Sequence, residues 1–331
     1  MAGRPPSAAE ATHTKGVAIA ALGVLILAPD TLLLRVIEAD AFTVAFWRNL
    51  LVATNILVLY AAVEGPGWFA KLRHIGPAGL LAAALFAVNQ MAFVFAVANT
   101  GVANVLLIVA TAPLFAALFS RVFLREATAR RTWLAIVGAL AGMAVIFGGE
   151  AGLLGGWGGG PGLGTVGPDP LLGNLCALAV AIALGGAFTV VRHRREVTSL
   201  PSMVLAGYFS AFAMIWFASP FAMDSVSFGW QVTMGLMVAC AFALIATAPR
   251  FAPSPVVSLM LLLETVLGPL LVWSLLAEVP SRWALLGGAI VLTALLGQGF
   301  GELLAQRRHR RERLRETMKS ADSRLGYQAG E

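Results

Sequence analysis

The sequence has 331 residues, of which 59% are hydrophobic and 12% charged, and its net charge is +6. Soluble domains carry about twice that share of charged residues, so the composition excludes a soluble globular protein and predicts a polytopic membrane protein. The basic residues fall in loops and a tail, which makes the positive charge a topology signal and argues against a nucleic-acid partner. Two cysteines in apolar segments, Cys176 and Cys240, exclude a disulfide framework.

Ten segments are apolar and long enough to cross a bilayer, which takes about 20 mostly apolar residues. We predict helices at 16–36, 41–62, 77–98, 101–123, 131–149, 170–191, 201–220, 228–248, 254–276 and 281–304. The first is too long for the apolar core of a signal peptide and has no clear cleavage site before Pro29. It is therefore interpreted as a span.

The positions of Lys and Arg predict the orientation of these spans. Twenty of the 23 lie in loops and tails on one side of the predicted bundle, whereas the other side has only Arg35 and Arg282 and a single arginine, Arg48, lies inside a span. Cytoplasmic loops are enriched in Lys and Arg, so both termini are expected in the cytoplasm. Arg outnumbers Lys by 20 to 3, a bias typical of GC-rich bacterial genomes, and the predicted location is a bacterial inner membrane.

Two segments resemble each other across the halves of the chain. A shift of 152 positions superposes Glu126 on Glu278 and Ala112 on Glu264. Five spans per half is an odd number, so the second half enters the membrane the opposite way round from the first. The sequence thus predicts an all-α integral membrane protein with ten transmembrane helices as two inverted five-helix repeats.

This plan divides the chain into five parts. They are a cytoplasmic tail at 1–15, a first repeat at 16–149, a Gly-rich extracytoplasmic linker at 150–169, a second repeat at 170–304 and a basic cytoplasmic tail at 305–331. The linker lacks the Gly-Lys-Ser/Thr of a phosphate-binding loop. The basic tail is expected to contact anionic membrane lipids.

Three motifs resemble those of the EamA-type transporters of the drug/metabolite transporter superfamily. They are Ala45-Phe-Trp-Arg48-Asn-Leu, then Ala110-Thr-Ala-Pro113-Leu-Phe followed by Arg125-Glu126, and Leu262-Leu-Glu264-Thr-Val followed by Ala277-Glu278. Thr265 and Ala277 stand where that family usually has Pro and Gly. The resemblance covers about 16–304 and implies a ten-helix carrier, with the fourth and ninth spans near its central axis and export as the common direction.

Asp30 and Arg48 are the predicted substrate-binding pair. Asp30 lies 14 residues into the first span, about 21 Å from its inner end, which leaves roughly 9 Å to the outer face of the membrane core. Arg48 lies at a similar depth on the next, antiparallel span. Pro29 interrupts the helix beside the carboxylate, as in many carrier sites. The alternatives are a structural ion pair, or an arginine that reaches the outer interface beside Trp47.

Three further polar residues lie within spans. Asn89 and Gln90, in the middle of the third span, are predicted to line the substrate cavity, with bridging between helices as the alternative. Glu264 lies about eight residues from either water layer, where a charge is costly. Two roles stay open for Glu264: a proton-coupling carboxyl, or a neutral acid that stabilises helix packing.

Residues at the ends and faces of the helices receive structural interpretations. Glu126 and Glu278 are each expected to cap the next helix or to pair with a loop arginine. The pairs Gly138/Gly142 and Gly297/Gly301 allow close helix approach and are interpreted as packing sites, with a homodimer face as the alternative.

The predicted function is secondary transport of a small metabolite by alternating access, with an amino acid or another carboxylate-bearing solute as substrate. The main alternative is an integral membrane enzyme acting on a lipid-linked substrate, and a membrane receptor or assembly subunit is the third. No metal-ligand spacing or catalytic motif is present in the sequence. We therefore predict a non-enzyme without cofactor or metal.

Overall fold

A computed structural model describes residues 8–69, 75–125, 130–151, 153, 167–193, 199–248, 251, 254–301 and 304. Its spans are α1 (Ala8–Leu27, continued by Asp30–Val36), α2 (Ala41–Glu64), α3 (Gly76–Asn99), α4 (Val102–Val109, continued by Ala112–Phe123), α5 (Arg130–Glu150), α6 (Pro170–His193), α7 (Ser199–Met214), α8 (Ser225–Thr247), α9 (Ser254–Leu276) and α10 (Arg282–Gly301). A short 3₁₀ turn, Gly65–Gly67, follows α2. Within these residues every element is helical, which confirms the all-α prediction.

Hydropathy supports a membrane environment for this bundle. Nine of the ten described spans are long and apolar enough to cross a membrane, and α7 is a shorter apolar helix. Large apolar side chains also face outward, for example Leu134 at 74% and Val58 at 61% exposure. A soluble protein rarely exposes so much apolar surface, whereas lipid tails cover it without cost. The chain is a multi-pass membrane protein.

Three helix boundaries differ from the predicted ones. α1 begins at Ala8, eight residues before the predicted start, so part of the predicted tail is helical. α7 ends at Met214 and not at 220, and the chain then turns to pack on α2, where the Ser219 amide donates to Thr43 Oγ1 at 2.8 Å. α8 starts at Ser225 because the Asp224 carboxylate caps its first turn.

Two spans are interrupted near a proline. α1 breaks at Ala28 and Pro29, as the sequence predicted, and α4 breaks at Ala110 and Thr111, which it did not. Pro lacks the backbone N–H that continues a helix. The Thr111 hydroxyl donates to the Ile108 carbonyl at 2.6 Å, which satisfies a polar group that is fully buried.

Contacts between helices give their relative directions. α5 and α10 run antiparallel, since Gly138 lies against Ala294 and Gly149 against Trp283. α4 and α6 run parallel, since Ala116 accepts from Thr189 and Ser120 from Arg192. Both directions agree with an up-and-down order of ten spans.

The helix neighbours recur when the two halves of the chain are exchanged. α3 packs on α6 and α7, while α8 packs on α1 and α2. α4 packs on α6, while α9 packs on α1, and α2 packs directly on α7. These contacts of α2, α3 and α4 thus have equivalents at the helices five places later.

Glycines bring α5 and α10 into backbone contact. A methyl group added to Gly142 would lie 2.6 Å from the Gly287 carbonyl oxygen, so no larger residue fits there. Gly138 also faces α10, whereas Gly297 has open space beside it and Gly301 lies against Arg131. The Gly138/Gly142 pair thus serves packing within the chain, and a homodimer stays an untested prediction.

Candidate functional site

Asp30 and Arg48 form a buried ion pair inside the helix bundle. Arg48 Nη2 lies 2.6 Å from Asp30 Oδ2 and Nε lies 3.4 Å from Oδ1, and their side chains are 7% and 3% exposed. Asp30 is the first residue after the break in α1, where the positive end of a helix favours a carboxylate. The predicted proximity of the two residues is confirmed.

An aromatic ring covers the guanidinium of this pair. The Phe93 ring on α3 has its centroid 5.2 Å from Arg48 Cζ. A cation over an aromatic face is stabilised by about 0.5–2 kcal/mol, and more when water is excluded. α3 therefore contributes to the same site as α1 and α2.

Glu264 on α9 supplies a second carboxylate. The side chain is half-buried, and α9 packs on the Asp30–Val36 segment of α1 that carries Asp30. One turn later, Gly268 packs against Thr31 of α1 and Leu106 of α4, which holds this part of α9 beside the ion pair. Asp30, Arg48 and Glu264 thus lie on helices from both halves of the chain, with α9 packed directly on α1.

Asn89 and Gln90 lie within one turn of Phe93 on α3. Gln90 is 8% exposed, and its Oε1 has no hydrogen-bond partner among the described residues. Asn89 is half-buried. A buried acceptor without a partner raises the energy of the folded protein. A ligand that donates a hydrogen bond to Gln90 Oε1 would remove this cost.

Three buried polar residues near the site were not singled out from the sequence. Asn49 follows Arg48, is fully buried, and has no partner for either amide atom in the described part of the chain. Thr31 follows Asp30 and is also unpaired at its hydroxyl within that part. Gln231 of α8 donates to the Val44 carbonyl at 3.2 Å. The available signal was the same for all three: a polar side chain inside an apolar span.

A second charged cluster joins several helices at one end of the bundle, which we name the Glu278 end. Arg35 lies in the last turn of α1, and its Nε is 3.0 Å from Glu278 Oε2. The Val102 amide at the start of α4 donates to Glu278 Oε1 at 2.8 Å. Arg35 Nη2 donates to the Thr100 carbonyl at 2.7 Å, and the Thr100 hydroxyl donates to Asn174 of α6 at 3.0 Å. We name these residues (Arg35, Thr100, Val102, Asn174 and Glu278) the Glu278 cluster.

The Glu278 cluster corrects the role predicted for Glu278. Glu278 pairs with an arginine, as one of the two expected roles proposed. It caps α4, however, and not the next helix, since the first turn of α10 is capped by Ser281 through the Ala284 amide. Glu126 lies outside the described residues.

The segment between α7 and α8 also covers the Glu278 end. Trp47 Nε1 donates to the Pro220 carbonyl at 3.0 Å, and the rings of Phe42 and Phe217 lie 5.4 Å apart. Phe42 lies in the first turn of α2, and Trp47 directly precedes Arg48 in the same helix. The ion pair is therefore covered at this end by aromatic side chains as well as by the Glu278 cluster.

Comparison with known proteins gives a family for the first half of the chain. Residues 14–148 match the EamA-like transporter family. The resemblance predicted from the sequence motifs is thereby confirmed. No curated protein matches the chain. A solved structure titled only "Crystal structure of protein" matches with a TM-score of 0.60 at 19% identity, covering 89% of this chain and 99% of that chain, a likeness that shows the fold alone.

The EamA-like match includes most of the predicted site. Asp30, Arg48, Asn89 and Gln90 all fall inside residues 14–148, whereas Glu264 and Glu278 fall outside them. The matched segment is therefore similar to the corresponding part of EamA-like transporters. Its EamA-like segment supplies the ion pair and the aromatic cover, and the second half supplies the additional carboxylates.

Proposed function

We propose that the protein is a secondary carrier that moves a small metabolite across a bacterial inner membrane by alternating access. The observation that carries this proposal is the buried Asp30–Arg48 pair, with Glu264 beside it, among helices of both halves. Charged residues inside a membrane are costly and commonly mark a substrate or ion path. Both termini are proposed to be cytoplasmic, which makes the Glu278 end extracytoplasmic.

The two halves are proposed to be inverted-topology repeats. The exchange symmetry of the helix neighbours supports this proposal. Arg125 and Ala277 support it independently: both have φ of 55°, and they are 152 positions apart, the same shift that relates Glu126 to Glu278. Non-glycine residues rarely adopt this left-handed conformation, so its occurrence at equivalent positions favours a common plan.

The substrate is proposed to carry a carboxylate, as amino acids do, with export as the direction. A substrate carboxylate has the planar geometry that arginine binds in bidentate fashion, so it can replace Asp30 on the Arg48 guanidinium. Gln90 and Asn89 would bind the remaining polar groups. Asp30, once released, is available for the amino group of a zwitterion.

Glu264 is proposed to couple transport to protons. Its carboxyl is near Asp30, and two neighbouring carboxylates in a membrane disfavour a common ionised state. A proton on Glu264 and a positively charged group in the site would then be mutually exclusive. If transport by Glu264→Gln stays proton-coupled, Glu264 has the packing role.

The proposed function is tested with purified protein in liposomes. A thermal-shift screen of amino acids and nucleobases first identifies a ligand, and the flux of that radiolabelled ligand is then measured. Asp30→Asn keeps the size of the side chain and is expected to abolish flux while the protein stays folded, whereas Glu38→Gln, at an exposed loop position, is the matched control. Flux in Asp30→Asn equal to that of the unaltered protein would refute the role of the pair. A stabilising ligand without any flux would favour a receptor or an enzyme.

A further inference from the structure

The Glu278 cluster connects segments that are distant in the sequence and belong to both halves of the chain. Arg35 and Glu278 are 243 positions apart, and Val102 and Glu278 are 176 apart. Their side chains are partly buried, 15% exposed for Arg35 and 10% for Glu278. Hydrogen bonds that involve a charged partner are about twice as strong as neutral ones, so the cluster is a substantial link between α1, α4 and the end of α9.

The carboxylate of Glu278 is shared between a side chain and a helix end. It accepts from Arg35 Nη2 and from the first amide of α4, and its other oxygen forms an ion pair with Arg35 Nε. Movement of α9 away from α1 and α4 would break these contacts together. The free helix end and the free guanidinium would then have to be hydrated, which is possible only where water can enter.

The helices behind the cluster have features of a moving element. The first segment of α4 packs on both α6 and α9, whereas the second segment, after the break at Thr111, packs mainly on α6. Pro269 lies inside α9 and removes one of its backbone hydrogen bonds. A small crevice lies between α4 and α9 at the cluster, and it is lined by Ala103, Asn104, Pro269 and Val272 together with Val102 and Glu278.

We propose that the Glu278 cluster is a latch that keeps the Glu278 end of the carrier closed, and that its release opens a path to the Asp30–Arg48 pair. The path is short, because Asp30 precedes Arg35 by five residues on the same helical segment, a distance of about 7.5 Å along the axis. This inference rests on the proposed function for its biological meaning. The latch itself is tested by accessibility, without any transport measurement.

The test uses thiol labelling of the full-length protein in detergent. Cys176→Ala and Cys240→Ala remove the two native thiols. Ala103→Cys then places a reporter in the crevice beside the latch, at a position that is 8% exposed. A bulky maleimide reacts with this thiol only when the Glu278 end opens, so the labelling rate reports the population of the open form.

Glu278→Gln is expected to increase the labelling rate of the Ala103→Cys reporter about tenfold or more, because it weakens several charge-assisted hydrogen bonds at once. Arg35→Gln breaks the same latch from the other side, so the double variant is expected to label no faster than the faster single variant. If Glu278→Gln does not fold, as judged by size-exclusion chromatography, Arg35→Gln alone provides the test.

Two controls separate a latch from general loosening of the protein. Glu38→Gln removes an exposed carboxylate from the same end of the bundle and is expected to leave the labelling rate unchanged. A second reporter, Ala248→Cys, is fully buried at the other end of the bundle. Equal labelling of Ala103→Cys with and without Glu278→Gln overturns the proposal, and so does a comparable acceleration at Ala248→Cys. If the latch behaves as expected but no flux is found, only the proposed carrier function fails.

Discussion

Two arginine–carboxylate pairs in this molecule have different surroundings. Arg48 and Asp30 are almost fully buried and, in the described part of the chain, their hydrogen bonds are to each other. Arg35 and Glu278 are more exposed, and each also bonds to backbone groups of other segments. The hydrogen bonds of the first pair thus stay within the pair, whereas those of the second connect several helices.

The difference indicates what each pair is suited to do. A pair with few other bonds can exchange one partner for a ligand and keep its charges balanced. A pair with many bonds to the backbone resists the movement of its helices and has no simple substitute for its contacts. The comparison therefore supports the proposals of ligand exchange at Asp30–Arg48 and of a latch at Arg35–Glu278.

The largest expected effect on stability comes from Arg48. Arg48→Gln leaves the Asp30 carboxylate buried without a countercharge, which typically costs about 3–5 kcal/mol. Among single substitutions at the two pairs, we expect this one to cause the largest fall in melting temperature, measured on purified protein. The double variant Asp30→Asn/Arg48→Gln removes both charges and is expected to recover much of the loss. A double variant as unstable as Arg48→Gln would contradict the idea that the charges of Asp30 and Arg48 mainly compensate each other.

A smaller loss of stability is expected from Arg35. Arg35→Gln removes charge-assisted hydrogen bonds that lie partly in contact with water, worth about 1.5–3 kcal/mol in total. Arg282→Gln, an exposed arginine at the same end of the bundle, serves as the control and is expected to melt like the unaltered protein. If Arg35→Gln destabilises as much as Arg48→Gln, the contrast in burial does not determine the energetics.

The two pairs also differ in their aromatic contacts, because the Phe93 ring lies over Arg48. Phe93→Leu keeps an apolar side chain of similar burial but removes the ring above Arg48, at a cost of about 0.5–2 kcal/mol. The expected result is a small fall in melting temperature together with weaker binding of the screened ligand. The labelling rate of the Ala103→Cys reporter should not change, and a marked acceleration would show that the two pairs are coupled.

The smallest expected effect is that of salt. Raising the NaCl concentration from about 0.05 to 0.5 M shortens the Debye length from more than 10 Å to below 5 Å and weakens exposed charge pairs more than buried ones. We expect about a twofold faster labelling of the Ala103→Cys reporter. In Glu278→Gln the same salt change should have no effect. Equal acceleration in both proteins would assign the salt effect to something other than the latch.

The sequence predicted the spans because hydropathy alone determines which segments can enter a membrane. It also predicted the nearness of Asp30 and Arg48, since depth along two consecutive helices follows from residue counting. The partners of Glu278 could not be predicted in this way. They are brought together by packing between α1, α4 and α9, and no local pattern at Arg35 or Val102 specifies that contact.

The break in α4 and the burial of Asn49 are two further features that could not be predicted from the sequence. The sequence did not predict the break of α4 at Ala110 and Thr111, where the chain packs closely against Gly185 of α6. Asn49 belongs to one of the family-like motifs, but an amide inside a span is compatible with any helix face. Only the folded arrangement reveals that both of its polar atoms are buried without a partner among the described residues.

The glycine contact between α5 and α10 has a mechanical consequence. Gly142 and Gly287 bring two backbones together with no side chain between them. Such a joint has almost no room for compression, because Val291 and Ile146 fill the space beside the two glycines. The seam is therefore suited to act as the pivot of the molecule, and the distances that change during a rocking motion would be those farthest from it.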